Sequence, residues 1–446
     1  MVVAYDIKSP EAILQYARHL LHKTLREFVD KPIVDGIEDN IKRKGWYWNM
    51  IEKYYFWYEP NSSKKPDFEE AWLELKTSPL KQLKNWKKVA KERLVMNIIN
   101  FMEIVNEERE TSSFLEKNKG LLLIFYLYEE NKVFRDYIIE LVNIWKFPPK
   151  DLLMIQQDWH TIQNKIKSWK ADELSEWDTF YLWACTKWQT SLNRREQPFS
   201  IITAKQRAFS LKQSYVNKII EHLSQQEEKE ESILTDLSIL KKESFEEHIK
   251  NRFADFIWLS PEKIADKLWV SLKIESKQYL AILARQILWI NWNKIEEFEK
   301  ANVTMKVLRI QTSGVPKESI SFPAFKYKEI IKQDWEDSET LEMIDKKFFF
   351  VIFQYNENNN LSLKKVMFRN IPYSDLNIDV RRVFNETKKR ILNWNIENLP
   401  KISENLVAHV RPHAKNKKDT YEGPDWKKYM KKCFWLNSKY ITKQIQ

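Results

Sequence analysis

The stretch that decides the fold is Pro66-Asp67-Phe68-Glu69-Glu70-Ala71-Trp72-Leu73-Glu74-Leu75-Lys76-Thr77. From Leu73 to Thr77 apolar and polar side chains alternate, which is typical of a β-strand with one buried face. Because side chains two positions apart on a strand share a face, Glu74 and Lys76 point the same way. Asp67 precedes them across a turn and can reach the same point. The stretch therefore predicts two carboxylates and an ammonium gathered at one end of a strand.

This set of groups suits the hydrolysis of a phosphodiester. Asp67, Glu74 and the carbonyl of Leu75 supply the hard oxygen ligands that Mg²⁺ prefers. Mg²⁺ offsets charge on the phosphate and lowers the pKa of a bound water, while Lys76 can polarise that water and neutralise charge in the transition state. We expect Asp67 and Glu74 to hold Mg²⁺ and Lys76 to act beside it.

The alternative is an exposed edge strand, on which Glu-x-Lys is common because charges prevent edge-to-edge pairing. Two features favour the catalytic interpretation. Residues 121–126, LLLIFY, form a continuous apolar run, typical of a strand buried on both faces. The formal charge of +11 and the pI of about 9.1 favour a polyanionic partner.

The bulk composition excludes several classes of protein. No run of 18 apolar residues appears, so no membrane span is predicted, and the N-terminal MVVAYDIKSPEAIL does not resemble a secretory signal. Two cysteines, Cys185 and Cys433, are too few for a disulfide framework or a Cys-rich zinc site. We expect a cytoplasmic protein without a membrane partner.

The two halves of the chain repeat each other in outline. LELKTSPL (73–80) and the run LLLIFYLY find counterparts in VLRIQTSG (307–314) and FFFVIFQY (348–355). A duplicated α/β unit explains this pattern. Residues 223–243, which contain SQQEEKEESILTDLSILKKE (224–243), are strongly hydrophilic and predict an exposed helical linker. We expect a catalytic domain over 1–222 and a second domain over 244–446.

Longer segments resemble the two-domain, GATC-cutting type II restriction endonucleases related to the mismatch-repair nuclease MutH. The segments that carry the resemblance are KGWYWNMIEKYYF (44–56), PDFEEAWLELKTSPL (66–80), AKERLVMNIINF (90–101), LSEWDTFYLWACTKW (174–188), SFPAFKYKEIIKQDWEDS (321–338) and HVRPHAKNKKDTYEGPDWKKYMKKCFWLNSKYI (409–441). The resemblance implies an α/β fold of two tandem MutH-like domains of the PD-(D/E)xK class, with mixed sheets flanked by helices.

The resemblance also implies roles for individual residues. Asp67, Glu74 and Lys76 occupy the catalytic positions of the family, and Glu52 matches a further acidic residue near the metal. In the second half, the positions that correspond to Asp67, Glu74 and Lys76 are occupied by Lys300, Val307 and Arg309. The second domain is therefore expected to be a pseudo-nuclease that binds DNA.

A set of mostly basic residues is expected to contact DNA. For His409, Arg411 and His413 the alternative is a metal site, and for the C-terminal lysines it is a solvated face; the resemblance favours phosphate contact. The expected DNA-binding residues are Lys44, Gly45, Lys91, Lys205, Lys212, His409, Arg411, His413, Lys415 and Lys431.

Glycine is scarce and tryptophan abundant, with 5 and 19 of 446 residues. The family pattern leads us to expect glycine at several tryptophan positions, and others lie where a turn glycine is natural. One hypothesis is that many are UGA codons of an organism that reads UGA as glycine; the alternative is a genuinely Trp-rich paralogue. The positions are Trp48, Trp57, Trp72, Trp169, Trp177, Trp183 and Trp188, and then Trp86, Trp258, Trp289, Trp394 and Trp426.

The sequence thus predicts a Mg²⁺-dependent type II restriction endonuclease that cuts both strands of DNA at GATC and leaves 5′-phosphates. Dimerisation on DNA and a cognate DNA methyltransferase are the expected partnerships. Two alternatives stay open. One is a strand-specific nicking enzyme of mismatch repair, and the other is a non-catalytic DNA-binding paralogue.

Overall fold

A computed structural model describes residues 5–29, 49–59, 63–83, 85–186, 194–271, 278–335 and 338–446. The chain forms two compact units. The first comprises the residues up to Glu230 with Leu234–Lys242 and Glu299–Ala301, and the second comprises Glu231–Ile233, Glu243–Phe298 and Asn302–Gln446. No helix in the described ranges is both long enough and apolar enough to cross a bilayer.

The first unit is built on three sheets, with strand orders β2-β1-β4-β5, β3-β9-β6 and β7-β8. The pairing of β1 with β4 is parallel and the others are antiparallel, so the first sheet is mixed. The strands are β1 (Leu73–Gln82), β2 (Lys88–Ala90), β3 (Leu94–Ile98), β4 (Gly120–Leu127), β5 (Ile139–Trp145), β6 (Leu182–Thr186), β7 (Arg194–Gln197), β8 (Ser200–Lys205) and β9 (Arg207–Leu211).

Helices flank these sheets because each presents one apolar stripe. The longest begins with a proline at its first turn and buries Met154, Ile155, Ile162 and Ile166. The helices are α1 (Pro10–Arg18), α2 (Phe101–Ile104), α3 (Ser113–Lys117), α4 (Pro149–Lys167), α5 (Gln213–Leu223) and α6 (Ile239–Lys242), with a π-helical turn at Ile51–Tyr55.

The second unit has strand orders β10-β12-β13, β11-β17-β14 and β15-β16. Its strands are β10 (Val303–Ile310), β11 (Ile320–Ser321), β12 (Lys347–Tyr355), β13 (Leu361–Asn370), β14 (Ala408–Pro412), β15 (Thr420–Glu422), β16 (Lys428–Met430) and β17 (Lys432–Leu436). Its helices are α7 (Phe245–Ala254), α8 (Pro261–Lys267), α9 (Tyr279–Ile287), α10 (Glu296–Ala301, shared with the first unit), α11 (Tyr327–Ile330), α12 (Glu339–Ile344), α13 (Arg381–Leu392) and α14 (Ser438–Ile445), and Asp375–Val380 is π-helical.

The two units share one plan, as expected for a duplicated α/β unit. In each, a parallel strand pair (β1 with β4, β10 with β12) accompanies a three-stranded antiparallel sheet (β3-β9-β6, β11-β17-β14). In each, a tyrosine also ties the helix that follows the three-stranded sheet (α5, α14) to another helical segment. Tyr215 donates to Asp151 at 2.9 Å, and Tyr440 donates to Asp375 at 2.8 Å. The predicted mixed α/β fold is confirmed, and the shared plan supports the predicted duplication.

The register of the repeat differs from the one read from the sequence. A residue with positive φ stands directly before each parallel strand, Trp72 before β1 at 54° and Asn302 before β10 at 55°. Aligning these two turns places Thr304 opposite Glu74 and Lys306 opposite Lys76. The assignment of Val307 and Arg309 to those positions was therefore wrong.

The same alignment corrects the third position. The counterpart of Asp67 is Glu297, whose Oε2 accepts the N–H of Ile233 at 3.0 Å. Lys300, which the sequence suggested, is instead paired with Asp151 at 2.7 Å. A carboxylate therefore survives at one of the two acidic positions, but it is engaged by the backbone of another segment.

The helical conformation predicted for the linker 223–243 is wrong for most of that segment. Only its first residue, at the end of α5, and α6 (Ile239–Lys242) are helical, and Glu231 forms an isolated bridge to Ile295. Its charged residues form ion pairs instead of a solvated helix: Glu230, for example, binds Lys218 within the first unit. The domain limits 1–222 and 244–446 stay predictions, and the division into compact units falls within this segment.

Among the residues that the structure describes, nine tryptophans occupy a backbone conformation that residues other than glycine rarely adopt. Their φ angles lie between 54° and 66°, in the left-handed region that glycine enters at no steric cost. At least half of each side chain is exposed, so little packing offsets the strain. The nine are Trp57, Trp72, Trp86, Trp169, Trp258, Trp269, Trp289, Trp394 and Trp426.

Four of them end helices in the manner of glycine. Each of these four lies one residue after the C-cap of a helix; they are Trp169, Trp269, Trp289 and Trp394. The residue after each tryptophan donates its N–H to a carbonyl five residues earlier, as Asn395 does to Arg390 at 2.8 Å. This is the Schellman arrangement, whose left-handed position is normally glycine.

The positive φ angles support the glycine hypothesis at eight of the tryptophans named from the sequence, and they add Trp269 as a ninth position. Trp177 and Trp183 are absent from the positive-φ set, so the conformational argument does not extend to them. Trp48 and Trp188 lie outside the described residues. Since a non-glycine residue in the left-handed region costs about 1–2 kcal/mol, nine of them would rival the stability of a whole domain.

Candidate active site

Strand β1 positions the candidate catalytic groups by simple alternation. Leu73 and Leu75 point into an apolar core that also contains Ile13 and Ala17 of α1. Glu74 and Lys76 lie on the other face and are nevertheless buried, with 2% and 4% of their surface exposed. Two charged groups at this depth are stable only when they are paired.

Hydrogen bonds join the three predicted catalytic residues. The ammonium of Lys76 donates to Oε1 of Glu74 at 2.6 Å, and Oε2 of Glu74 accepts the N–H of Asp67 at 3.2 Å. The carboxylate of Asp67 accepts the N–H of Leu75 at 2.9 Å. The turn at Trp72 thus folds Asp67 back onto the start of β1, and the structure brings together the groups that the spacing predicted.

Lys117, at the end of α3, is a functional group that the sequence reasoning missed. Its ammonium lies 3.4 Å from Oε1 of Glu74 and donates to the carbonyl of Ser63 at 2.7 Å. A signal was present, because α3 leads into β4, and β4 runs parallel to β1. The helix end before a parallel strand must lie near the start of its neighbour, where Glu74 is.

Glu52 joins the site from the π-helical turn Ile51–Tyr55 and is 3% exposed. Burial, with a contribution from Asp67, raises the pKa of Glu52 to about 8. Burial and the charge of Glu74 raise the pKa of Asp67 to about 7, although Lys76 and the Leu75 N–H act in the opposite direction. Three carboxylates (Glu52, Asp67 and Glu74) thus meet only two lysines (Lys76 and Lys117) in a buried site.

This excess of negative charge fits a divalent cation, which would relieve the repulsion. The donor set consists of oxygen atoms, as Mg²⁺ requires, and lacks the imidazole and thiolate ligands that favour zinc. As placed, no three His, Cys, Asp or Glu side chains of the described chain converge to coordinate an ion. Asp67 and Glu74 are turned toward their hydrogen-bond donors and would have to exchange these for the ion.

The site opens into a cleft of about 1040 Å³. One wall carries Glu52, Asp67 and Glu74, and the other is formed largely by β3, including Asn97. Residues at the end of β6 also line it. That strand is held in place by the buried carboxylate of Asp158, which accepts the N–H groups of residues 180–182 at 2.6–2.9 Å.

The residues of the first unit that were predicted to contact DNA differ in their exposure. Lys205 is exposed, and Lys91 lies 3.4 Å from the ring centroid of Tyr128. Lys212 must be corrected: it is 1% exposed, and its ammonium donates to the carbonyl of Thr179 at 2.8 Å. It therefore anchors the start of α5 rather than facing a phosphate. Lys44 and Gly45 lie outside the described residues.

In the second unit Arg411, His413 and Lys415 are exposed, as expected of DNA contacts. Lys431 is half-buried and paired with Asp419. His409 must be corrected, because it is 3% exposed and its Nδ1 is hydrogen-bonded to Asn437. Burial also lowers its pKa, which favours the neutral ring.

With this geometry in view, comparison with known proteins defines the class. Residues 56–158, which contain Asp67, Glu74, Lys76 and Lys117, match the family model of the DNA mismatch repair enzyme MutH. The first unit therefore carries a MutH-type nuclease domain.

A relative narrows the class further. The chain is 33% identical to the type II restriction enzyme Sau3AI of Staphylococcus aureus over 485 aligned positions, which cover 96% of this chain and 98% of that enzyme. The chain belongs to the MutH-like type II restriction endonucleases. It is a site-specific deoxyribonuclease, and its substrate is DNA, so the expected family and enzyme class are confirmed.

Proposed function

We propose that this protein hydrolyses both strands of duplex DNA at GATC in a Mg²⁺-dependent reaction that leaves 5′-phosphates. The observation that carries the proposal is the buried Lys76–Glu74 pair, joined to Asp67 and facing a cleft. The family and the relative make the reaction the cleavage of DNA. The GATC specificity rests on the family resemblance of the segments quoted above.

The residues divide the chemical work. Asp67 and Glu74 would hold Mg²⁺, which offsets phosphate charge and acidifies water when bound. Lys76 orients the attacking water and neutralises negative charge that develops on the phosphate. Lys117 holds Glu74 and the loop at Ser63 in position. Glu52, with its raised pKa, can exchange a proton near neutral pH.

Two partnerships follow from the proposed reaction. Cleavage of both strands at a palindrome by one active site favours two copies acting on opposite strands, and hence dimerisation on DNA. A nuclease that cuts a four-base sequence would also destroy its own genome. A cognate DNA methyltransferase is therefore the expected companion.

Plasmid digestion tests the proposal. Unmethylated plasmid is incubated with the protein and Mg²⁺, with EDTA in a parallel reaction, and the ends are mapped by sequencing. Linear fragments that end at GATC with 5′-phosphates are expected only with Mg²⁺. Open circles alone would indicate a nicking enzyme, and cleavage at another sequence or in EDTA would contradict the proposal.

A further inference from the structure

The second unit keeps the lysine of the catalytic strand but loses its acidic partner. Aligning the turns at Trp72 and Asn302 makes Lys306 the counterpart of Lys76 and Thr304 that of Glu74. Strand pairing agrees, because Glu74 lies beside Leu121 on β4 and Thr304 lies beside Phe348 on β12, one residue after each strand begins. A cation thus remains at a site that cannot hold Mg²⁺ in the same way.

The surroundings of Lys306 are cationic. Its ammonium lies 3.4 Å from the carbonyl of Ser321, which β11 places beside Trp435 of β17. Lys306 and Arg411 both act electrostatically on the thiol of Cys433, and Arg411 on β14 is paired directly opposite Cys433 on β17. Directly opposed residues of an antiparallel pair share a face of the sheet. The face of β14 and β17 that carries Arg411 and Cys433 therefore lies near Lys306.

These cations lack acidic partners in the part of the chain that the structure describes. No carboxylate there forms an ion pair with Lys306, Lys346 or Arg411. Burial and the neighbouring charge of Lys346 lower the pKa of Lys306. The charge at this place is thus incompletely neutralised, which is the reverse of the excess negative charge around Asp67 and Glu52.

We propose that Lys306, Lys346 and Arg411 form a metal-independent site for a backbone phosphate of duplex DNA. This inference rests on DNA being the substrate, and it is independent of the GATC specificity and of catalysis. Arg411 suits the role because its guanidinium stacks 3.7 Å from the centre of the Trp435 ring. Stacking holds the plane of the guanidinium and leaves its N–H edge available for the oxygens of a phosphate.

The exchange of Glu74 for Thr304 explains the change in ligand. A carboxylate beside the lysine repels a phosphate unless a metal ion stands between them. A hydroxyl removes that repulsion, so the lysine can bind a phosphate directly. The second unit would then use the nuclease framework to grip DNA without cutting it.

A binding experiment with the full chain in EDTA tests the proposal, because EDTA removes cleavage from the readout. The probe is a fluorescent 20-base-pair duplex without GATC, with anisotropy followed at several salt concentrations. Lys306→Met should weaken binding by at least about threefold and reduce the salt slope by about 1. The control is Lys364→Met, which removes a half-buried lysine of β13 at the far edge of the same sheet.

A second pair of variants removes no cation and guards against misfolding. Thr304→Glu restores the acidic neighbour and should weaken binding as Lys306→Met does, whereas the isosteric Thr304→Gln should not. Equal affinity and salt slope for Lys306→Met and Lys364→Met, or for Thr304→Glu and Thr304→Gln, would overturn the proposal. A failed plasmid digestion with these differences intact would reject the cleavage proposal alone.

Discussion

The strands β1 and β10 occupy the same place in two copies of one fold, yet different charges gather beside them. On β1, Glu74 and Lys76 pair at 2.6 Å and face two further carboxylates. On β10, Thr304 replaces the glutamate and Lys306 lies near the cation Lys346, while Glu297 before the strand accepts hydrogen bonds from Ser232 and Ile233. The framework is the same, so under the two proposals a few side chains would decide whether a strand end binds a metal ion or a phosphate.

Among the lysine variants that test this comparison, Lys76→Met is expected to have the largest effect on the rate of DNA cleavage. Loss of the ammonium beside the reacting phosphate should slow single-turnover cleavage about 10²- to 10³-fold, since preorganised donors of this kind contribute that much. Lys81→Met, further along the same strand, is the matched control. A rate for Lys76→Met near that of Lys81→Met would show that the buried pair is structural.

Lys117→Met should have a smaller effect, because Lys117 touches Glu74 and not the reacting atoms. We expect kcat to fall about tenfold, with the KM for DNA little changed, as for a residue that positions a catalytic group. Lys119→Met, two residues along and exposed, provides the control. A change confined to KM would instead make Lys117 a DNA contact.

The two turns before the strands allow a comparison of stability. Trp72→Gly should raise the free energy of unfolding by about 1 kcal/mol, because glycine removes the strain of positive φ. Asn302→Gly should change it less, since asparagine tolerates this conformation. Denaturant unfolding measures both, and Trp159→Gly, which empties a fully buried site, should destabilise strongly. Destabilisation by Trp72→Gly would contradict the strain argument.

Effects on stability of similar size are expected at the tyrosines that repeat between the units. Tyr215→Phe and Tyr440→Phe each remove a hydrogen bond to an aspartate and should lower the free energy of unfolding by about 1–2 kcal/mol. Asp151 keeps its bond to Lys300, so the loss at Tyr215 should be the lesser of the two. A larger loss at Tyr215 would mean that the two contacts are not equivalent.

The sequence predicted the parts of the site that depend on local spacing. Alternation at Leu73–Thr77 and the apolar run 121–126 fixed two strands, and the seven-residue step from Asp67 to Glu74 brought the carboxylates together. Strand β1 extends beyond the predicted end, to Gln82, because β4 pairs with it as far as Leu80 and β2 pairs with it from Leu80 to Gln82. Long-range pairing of this kind leaves no local signal.

The failures also have physical causes. Aligning the two copies by their apolar residues placed the second copy three residues too far along the chain. The register is set by the turn at Asn302, which the pattern of apolar residues does not reveal. Lys212 and His409 read as surface cations, but each satisfies its polar group inside the protein, at a carbonyl and at an amide. Composition gave no sign of Lys117, whose place depends on the neighbouring strand.

The tryptophan hypothesis has its own decisive test in the gene. UGA codons at Trp169, Trp269, Trp289 and Trp394, together with glycine in the mass spectrum of the native protein, would establish it. UGG codons there would show that the strained residues are real. Trp159 and Trp335, which are buried and free of positive φ, should be UGG in either case.

The central claim is that catalysis belongs to the acidic strand end of the first unit. Its most direct test is single-turnover cleavage of a GATC duplex with Mg²⁺ by Glu74→Gln, with duplex binding measured in parallel. Glu70→Gln, which changes an exposed carboxylate in the same segment, is the control. The account predicts that Glu74→Gln binds DNA normally and loses cleavage by at least about 10³-fold. Cleavage by Glu74→Gln at the rate of Glu70→Gln would contradict it.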